Sequence, residues 1–320
     1  EYVAPFQNLS ALNVFLITLT LMVGTAGLPH VIIRFYTVPK ASDARWSAGW
    51  ALVFIGLLYT TAPAVAVFSK YNLLNTLANK PVEEVRQIDW VQKWEQTGLL
   101  KLQDKNGDGI LQMSANPDVN EVTIDRDIIV LSTPEVAKLS PFIVGLVAAG
   151  GLAAALSTAA GLLIVIASAI SHDLYTRLIN PGASEATKLL IARVVIFLVV
   201  VLAAPFGINP PAFIAQLVAF AFGLAASTFF PAILLGIFDR RMNMQGAVAG
   251  MIVGLVFTAS YIIGTKYLGW PNFILGITAE GIGAIGMLLN FVVAYLVSRA
   301  TPPPPEEIQH LVDEIRIPKG

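Results

Sequence analysis

The chain has 320 residues, of which 56% are hydrophobic and only 13% are charged, and its mean hydropathy is +0.71. A soluble domain usually carries about 25% charged residues, so this composition excludes an ordinary soluble globule. A net charge of −1 without a basic stretch argues against a nucleic-acid partner, and the lack of cysteine excludes disulfides, thiol catalysis and thiolate metal sites.

The charges are unevenly distributed and leave long stretches without any formal charge. Each stretch is long enough for a membrane-crossing helix, which needs about 20 apolar residues. The stretch at 194–238 contains a turn rich in proline and glycine at 205–211, so it predicts two helices rather than one. We therefore predict an all-α integral membrane protein with about seven transmembrane helices, at residues 9–28, 46–68, 141–170, 188–204, 212–238, 246–263 and 281–297.

Basic residues in the connecting loops give the expected orientation. They follow the first, third, fifth and seventh spans, as Arg34, Lys40 and Arg45, then Arg177 and Lys188, then Arg240 and Arg241, and finally Arg299. Because these four places lie on one side when spans alternate, we expect that side to be cytoplasmic. The chain would then lie in a bacterial inner membrane, with the N-terminus of this chain outside and its C-terminus inside.

Four segments follow from this layout. Residues 1–69 hold the first two spans, 70–140 form an extracytoplasmic cap with a helix at 82–97, 141–298 hold five spans, and 299–320 form a cytoplasmic tail. The tail begins with a stiff polyproline spacer and continues as a short amphipathic helix. Its apolar face suits a membrane or a partner, and equally suits packing on the cytoplasmic loops. That face holds Ile308, Leu311, Val312 and Ile315.

The first span contains the sequence GTAGLPH at residues 24–30. Two glycines and a proline inside a span favour an interrupted helix, and transporters use such breaks to present free backbone dipoles to a substrate. A proline kink with close packing explains the same residues equally well. We take Gly24, Thr25 and Gly27 as candidate substrate-binding residues, together with Gln216, a polar residue of the fifth span.

The cap contains the sequence DKNGDGILQ at residues 104–112, which resembles most of a calcium-binding EF-hand loop. Position 12 of such a loop is normally a bidentate glutamate, but here it is Ala115. A plain turn of Asp, Asn and Gly residues is the alternative, and any bound Ca²⁺ would be structural. The candidate Ca²⁺ ligands are Asp104, Asn106, Asp108, the Ile110 carbonyl and Gln112.

The seven predicted spans contain no aspartate or glutamate, so a cation within the membrane must be bound by neutral oxygens. In the third span, Ser157 and Thr158 follow Ala154 by three and four residues, and helical side chains lean toward the N-terminus. Both hydroxyls therefore point back over the Ala154 carbonyl, which places three hard oxygens on one face and suits Na⁺. The alternative is that the hydroxyls only bond their own helix backbone.

Other polar residues of the spans also have two interpretations. His172 and Asp173 end the third span, where they suit either a metal or gating role or a solvated helix end. Ser227 and Thr228 in the fifth span are expected to bond a neighbouring helix.

Three segments together resemble the sodium:solute symporter family, and most closely its acetate-permease-like branch. They are VGTAGLPHVIIRFYTV at 23–38, LSTAAGLLIVIASAISHDLY at 156–175 and AASTFFPAILLGIF at 225–238. The resemblance implies a five-plus-five inverted-repeat fold, of which this chain holds the second repeat and two extra helices. It also implies that Ala154, Ser157 and Thr158 form part of a sodium site, which the absent first repeat would complete. In a branch with a charged cap, the resemblance further implies a small membrane subunit as partner.

The expected function is therefore Na⁺-coupled symport of a small solute, such as the monocarboxylate acetate, by alternating access. Catalytic groups do not converge in the sequence, so an enzyme is not expected. A Ca²⁺-responsive membrane sensor and a non-transporting structural subunit are the two alternatives.

Overall fold

The computed structural model describes Phe6 and residues 9–33, 38–315 and 317, most of which are helical. A π-helix, Ala169–Ile179, continues α7, and two short strands, β1 (Leu100–Leu102) and β2 (Val122–Ile124), pair antiparallel with Lys101 opposite Thr123. The α-helices are α1 (Ala11–Gly27), α2 (Pro29–Ile32), α3 (Ala41–Leu77), α4 (Val82–Arg86), α5 (Asp89–Thr97), α6 (Ile129–Val136), α7 (Pro141–Ser168), α8 (Glu185–Ile208), α9 (Ile214–Phe238), α10 (Met244–Tyr267), α11 (Gly283–Ala300) and α12 (Glu306–Glu314).

The helical membrane fold predicted from the sequence is confirmed. Among the described residues, 6 segments are long and apolar enough to cross a membrane, and α1 is a shorter apolar helix of 17 residues. Each corresponds to one of the seven predicted spans. The third span is longer than expected, because α7 and the π-helix together form a segment of 39 residues.

Two predicted boundaries are wrong. The turn between the fourth and fifth spans does not begin at Pro205, because Pro205 lies inside α8 and that helix continues to Ile208. Membrane helices tolerate an internal proline where local adjustments satisfy the freed backbone groups. The expected helix at 82–97 is two helices, α4 and α5, and Ile88 has an extended conformation just before α5.

The chain divides into two compact units. The first, Glu1–Thr37 with Leu162–Gly320, is called the helical unit below. The second, Val38–Gly161, is called the cap unit. The division falls within α7.

In the helical unit, α9 packs against α1, α10 and α11. Close packing depends on small residues, because α10 places a glycine at every fourth position, at 246, 250 and 254. A Cβ atom at Gly246 would lie 2.7 Å from the Ala294 carbonyl oxygen, and one at Gly254 would overlap the Ser227 carbonyl oxygen. Glycines spaced in this way let membrane helices approach at backbone distance.

A buried polar contact joins α9 to α11. Pro231 lies inside α9 and has no N–H group, so the Ser227 carbonyl loses its normal partner within the helix. The side-chain amide of Asn290, which is fully buried, donates to the carbonyls of Ser227 (2.8 Å) and Thr228 (2.9 Å). The expectation that the polar side chains of Ser227 and Thr228 bond a neighbouring helix is wrong, because both hydroxyls bond the Leu224 carbonyl of their own helix.

Charged residues join the end of α9 to α11 and α12. Asp239 accepts hydrogen bonds from Arg299 at 3.0 and 3.2 Å, and Arg240 forms an ion pair with Asp313 of α12. The tail helix is therefore held against the loop after α9, as one of the two predicted alternatives states. Of its four apolar residues, Val312 is buried, whereas the other three are exposed.

In the cap unit, the end of α3 packs with α4, α5 and the β-hairpin around one apolar core. Trp90 and Trp94 meet edge to face, with ring centroids 4.6 Å apart. This core positions the acidic loop between β1 and β2.

Candidate cation and substrate sites

Ala154, Ser157 and Thr158 lie on α7, where their spacing places them on one face, as the sequence predicts. All three are exposed, as is nearly every residue of this stretch. Ser157 also has an interaction partner within the protein. A Na⁺ ion needs more oxygen ligands than these three, and the sodium site therefore stays a prediction.

A helix break lies at the end of the first predicted span. α1 ends at Gly27, Leu28 has an extended conformation with φ −77° and ψ 116°, and α2 begins at Pro29. Because Pro29 has no N–H, the Thr25 carbonyl receives only a 3.4 Å bond from the Leu28 N–H. A helix break of this kind leaves backbone dipoles available to a ligand.

Close packing, the alternative explanation of the glycines, is also present. A Cβ atom at Gly24 would overlap the carbonyl oxygen of Phe222, and one at Gly27 would lie 2.7 Å from the Ala225 carbonyl oxygen. Both glycines thus face α9. The Thr25 hydroxyl bonds the Leu21 carbonyl at 2.8 Å, within its own helix.

Gln216 lies apart from the helix break. It is near the start of α9, six residues before Phe222, which corresponds to about 9 Å along a helix. Its amide donates to Glu280, which also forms an ion pair with Lys266 at 2.9 Å. Burial raises the pKa of Glu280, but Gln216 and Lys266 outweigh this and hold the pKa below its ordinary value. Local sequence patterns do not reveal this cluster, because its members are far apart along the chain.

A cavity of about 330 Å³ lies beside the helix break, within the helical unit. Gly27 and Pro29 form one wall, and Phe229 of α9 contributes to another. Ser168 and Asp173, at the junction of α7 and the π-helix, contribute the polar side chains. Asp173 also contacts His172 (3.0 Å) and Arg177 (3.9 Å), and all three of these side chains are more than half exposed.

The cap loop has the backbone form of the predicted turn. The two carboxylate oxygens of Asp104 accept from the N–H groups of Gly107 (2.7 Å) and Gly109 (2.9 Å), and both glycines have φ of 74°. The Ile110 N–H donates to Asp108 at 2.8 Å. That bond, followed by those from the Asn106 and Gln112 side chains, lowers the pKa of Asp108.

Glu121 is a residue of this loop that sequence reasoning missed. It is buried, with 2% of its surface exposed, and its oxygens accept from the N–H groups of Lys105 and Gln112, each at 2.9 Å. The described residues contain no group of three acidic, histidine or cysteine side chains arranged for a metal. Both interpretations of the loop, Ca²⁺ site and plain turn, therefore remain to be tested.

Comparison with known proteins agrees with the resemblance seen in the sequence. Residues 113–254 match the model of the sodium:solute symporter family. The chain is 41% identical over 313 residues to an uncharacterized symporter of Cupriavidus necator, which covers 95% of this chain and 45% of that protein. It is also 31% identical over 252 residues to a monocarboxylic acid transporter of Corynebacterium glutamicum, covering 75% of this chain and 36% of that protein.

The chain thus spans less than half the length of these curated relatives. The match to the family model covers part of the cap and runs through α7, α8 and α9 into α10, and the longer alignment covers nearly the whole chain. These matches show that the chain is similar to the sodium:solute symporter family.

Proposed function

We propose that the protein containing this chain performs Na⁺-coupled symport of a small monocarboxylate, such as acetate, in a bacterial inner membrane. The observation that carries the proposal is that Ala154, Ser157 and Thr158 all lie on the apolar helix α7, at positions i, i+3 and i+4. The match of residues 113–254 to the sodium:solute symporter family supports the coupling ion. The relative named as a monocarboxylic acid transporter supports the substrate class and the acetate-permease-like branch.

In this proposal, Na⁺ binds at the oxygens of α7 and stabilises the outward-open arrangement. The carboxylate substrate binds near the break between α1 and α2, beside the candidate residues Gly24, Thr25 and Gly27. An ion can shift the conformational equilibrium only by its difference in affinity for the two arrangements. The same ligands must therefore hold Na⁺ more weakly when the protein is inward-open, so that both solutes are released to the cytoplasm.

The test is acetate uptake by the intact protein in proteoliposomes, driven by an inward Na⁺ gradient. The double substitution Ser157→Ala with Thr158→Ala is expected to abolish the Na⁺-stimulated part of uptake while leaving membrane insertion unchanged. Thr60→Ala with Thr61→Ala is the matched control, because these two hydroxyls of α3 bond carbonyls of their own helix. Undiminished Na⁺ dependence in the α7 variant would exclude the site.

The same assay tests two other functions. A Ca²⁺-responsive sensor would show no gradient-driven uptake but would respond to Ca²⁺ through the cap loop at Asp104–Gln112. A non-transporting subunit would show neither, and transport would then require a partner chain such as a small membrane subunit.

A further inference from the structure

The cavity beside the helix break combines three features that each favour a cation. The first is the C-terminal end of α1 at Gly27, since the C-terminal end of a helix carries a partial charge of about −0.5. The last turn of α1 contains no basic residue that would neutralise this charge. Pro29 prevents the helix from continuing, so its end stays at the cavity wall.

The second and third features are the side chains of Ser168 and Asp173, both of which line the cavity. They are five residues apart at the point where α7 becomes a π-helix, whose bonds join residues five apart. The π register therefore places the hydroxyl and the carboxylate on the same face of the helix. A continuous α-helix would instead bring residues three or four apart together.

The contacts of Asp173 leave it able to bind an ion. Its two charged contacts, His172 and Arg177, both involve the same carboxylate oxygen, Oδ1. For the described residues, no hydrogen bond to Oδ2 is seen. Arg177 lies 3.9 Å away and is 70% exposed, so it neutralises the carboxylate only weakly.

The rest of the cavity surface is mainly apolar, with Phe229 and Ile233 of α9 as part of the wall. A volume of about 330 Å³ exceeds what a bare ion needs, so it suits an ion that keeps several waters. A carboxylate, a hydroxyl and a helix C-terminus are hard oxygen ligands of the kind that hard cations prefer.

We propose that this cavity is a second cation site, in which Asp173 and Ser168 hold a partly hydrated Na⁺ on its way to the cytoplasm. The inference rests on the proposed Na⁺ symport, and it adds a release site distinct from the oxygens at Ala154, Ser157 and Thr158. A weak, hydrated site suits release, because an ion held by few protein ligands exchanges readily with the solution.

Equilibrium binding of ²²Na⁺ to the purified intact protein tests the site directly. Wild type is expected to show two components, of which Asp173→Asn weakens only one, by about tenfold. Ser157→Ala with Thr158→Ala should remove the other component. Asp173→Glu should restore binding, and Glu185→Gln is the matched control, since Glu185 pairs with Lys188 and does not line the cavity.

A transport assay then identifies the side from which the site is reached. Na⁺ inside the proteoliposomes should inhibit uptake, and Asp173→Asn should raise the internal Na⁺ concentration for half-inhibition by about tenfold without changing the KM for external Na⁺. Ser168→Ala serves as a second variant that retains the charge, and it should show the same change in smaller degree.

The outcomes separate this inference from the proposed function. If Asp173→Asn binds Na⁺ like wild type while the α7 variant loses a component, the second site is wrong and the symport proposal stands. If wild type shows no saturable Na⁺ binding, the proposed function itself fails. Equal effects of Asp173→Asn on internal and external Na⁺ would also overturn the assignment to the release side.

Discussion

Replacing Asn290 by alanine should destabilise the helical unit by about 2–4 kcal/mol. The substitution leaves the buried Ser227 carbonyl without a donor, which costs about 1–3 kcal/mol, and removes a second bond, to Thr228, worth about 1 kcal/mol. Pro231 makes the first loss severe, because it has no N–H that could replace the amide. Asn290→Leu fills a similar volume but has no amide donor and no charge, so it separates the hydrogen-bond effect from the cavity that alanine creates.

A double-mutant cycle with Pro231→Ala tests this explanation. Alanine at 231 returns an N–H to α9, which can bond the Ser227 carbonyl as in an ordinary helix. In that background, Asn290→Ala should cost only about 1 kcal/mol, so the two sites should be coupled by about 1–3 kcal/mol. Reversible unfolding of the purified protein in mixed SDS micelles, followed by circular dichroism, gives these free energies. An equal cost of Asn290→Ala in both backgrounds would refute the reasoning.

Two further predictions concern charged residues outside the membrane spans. At 10 mM Ca²⁺, a cap-loop site with a Kd of about 0.1–1 mM should stabilise the protein by about 1.4–2.7 kcal/mol. The substitution Asp104→Asn should remove this gain in stability. Equal melting temperatures in Ca²⁺ and in Mg²⁺ would show that the loop is a plain turn. Because the pKa of Glu280 is lowered by folding, its contribution to stability is present above its ordinary value of 4.5 and is lost as the pH falls through the lower folded value. The difference in melting temperature between wild type and Glu280→Gln should therefore shrink as the pH is lowered from 7 to 3.5, and a constant difference would contradict this linkage.

Local patterns were sufficient to predict the spans and the end of α1 before Pro29. Charge-free stretches mark the membrane helices because a charge in the bilayer is costly, and this signal does not depend on tertiary structure. Likewise, Pro29 ends α1 at a predictable place because it lacks an N–H group. These features follow from each residue and its near neighbours in the chain.

Contacts between distant parts of the chain were not predictable in this way. Glu121 reaches the loop at Lys105 only because β1 pairs with β2, which also places the Gln103 N–H on the Glu121 carbonyl at 2.9 Å. Pro231 does indicate a carbonyl in need of a donor, but the sequence does not identify Asn290 as the residue that supplies it. The π-helix at Ala169–Ile179 likewise has no recognisable local signal, although it determines which side chains lie beside Asp173.

The packing of the helices suggests how variants should divide between folding and transport. In α9, α10 and α11, a third to nearly a half of the membrane segment is buried, whereas almost none of α3, α7 and α8 is. The candidate Na⁺ ligands Ser157 and Thr158 lie on α7, one of the exposed helices, where the loss of a hydroxyl removes few packing contacts. Asn290 lies in the buried group, where an unsatisfied carbonyl lowers the free energy of unfolding. Substitutions of Ser157 and Thr158 in α7 should therefore change the Na⁺ dependence of uptake without changing the free energy of unfolding. Substitutions of Asn290 should lower the free energy of unfolding and leave the Na⁺ dependence of uptake unchanged. Each kind of variant is thus a control for the other.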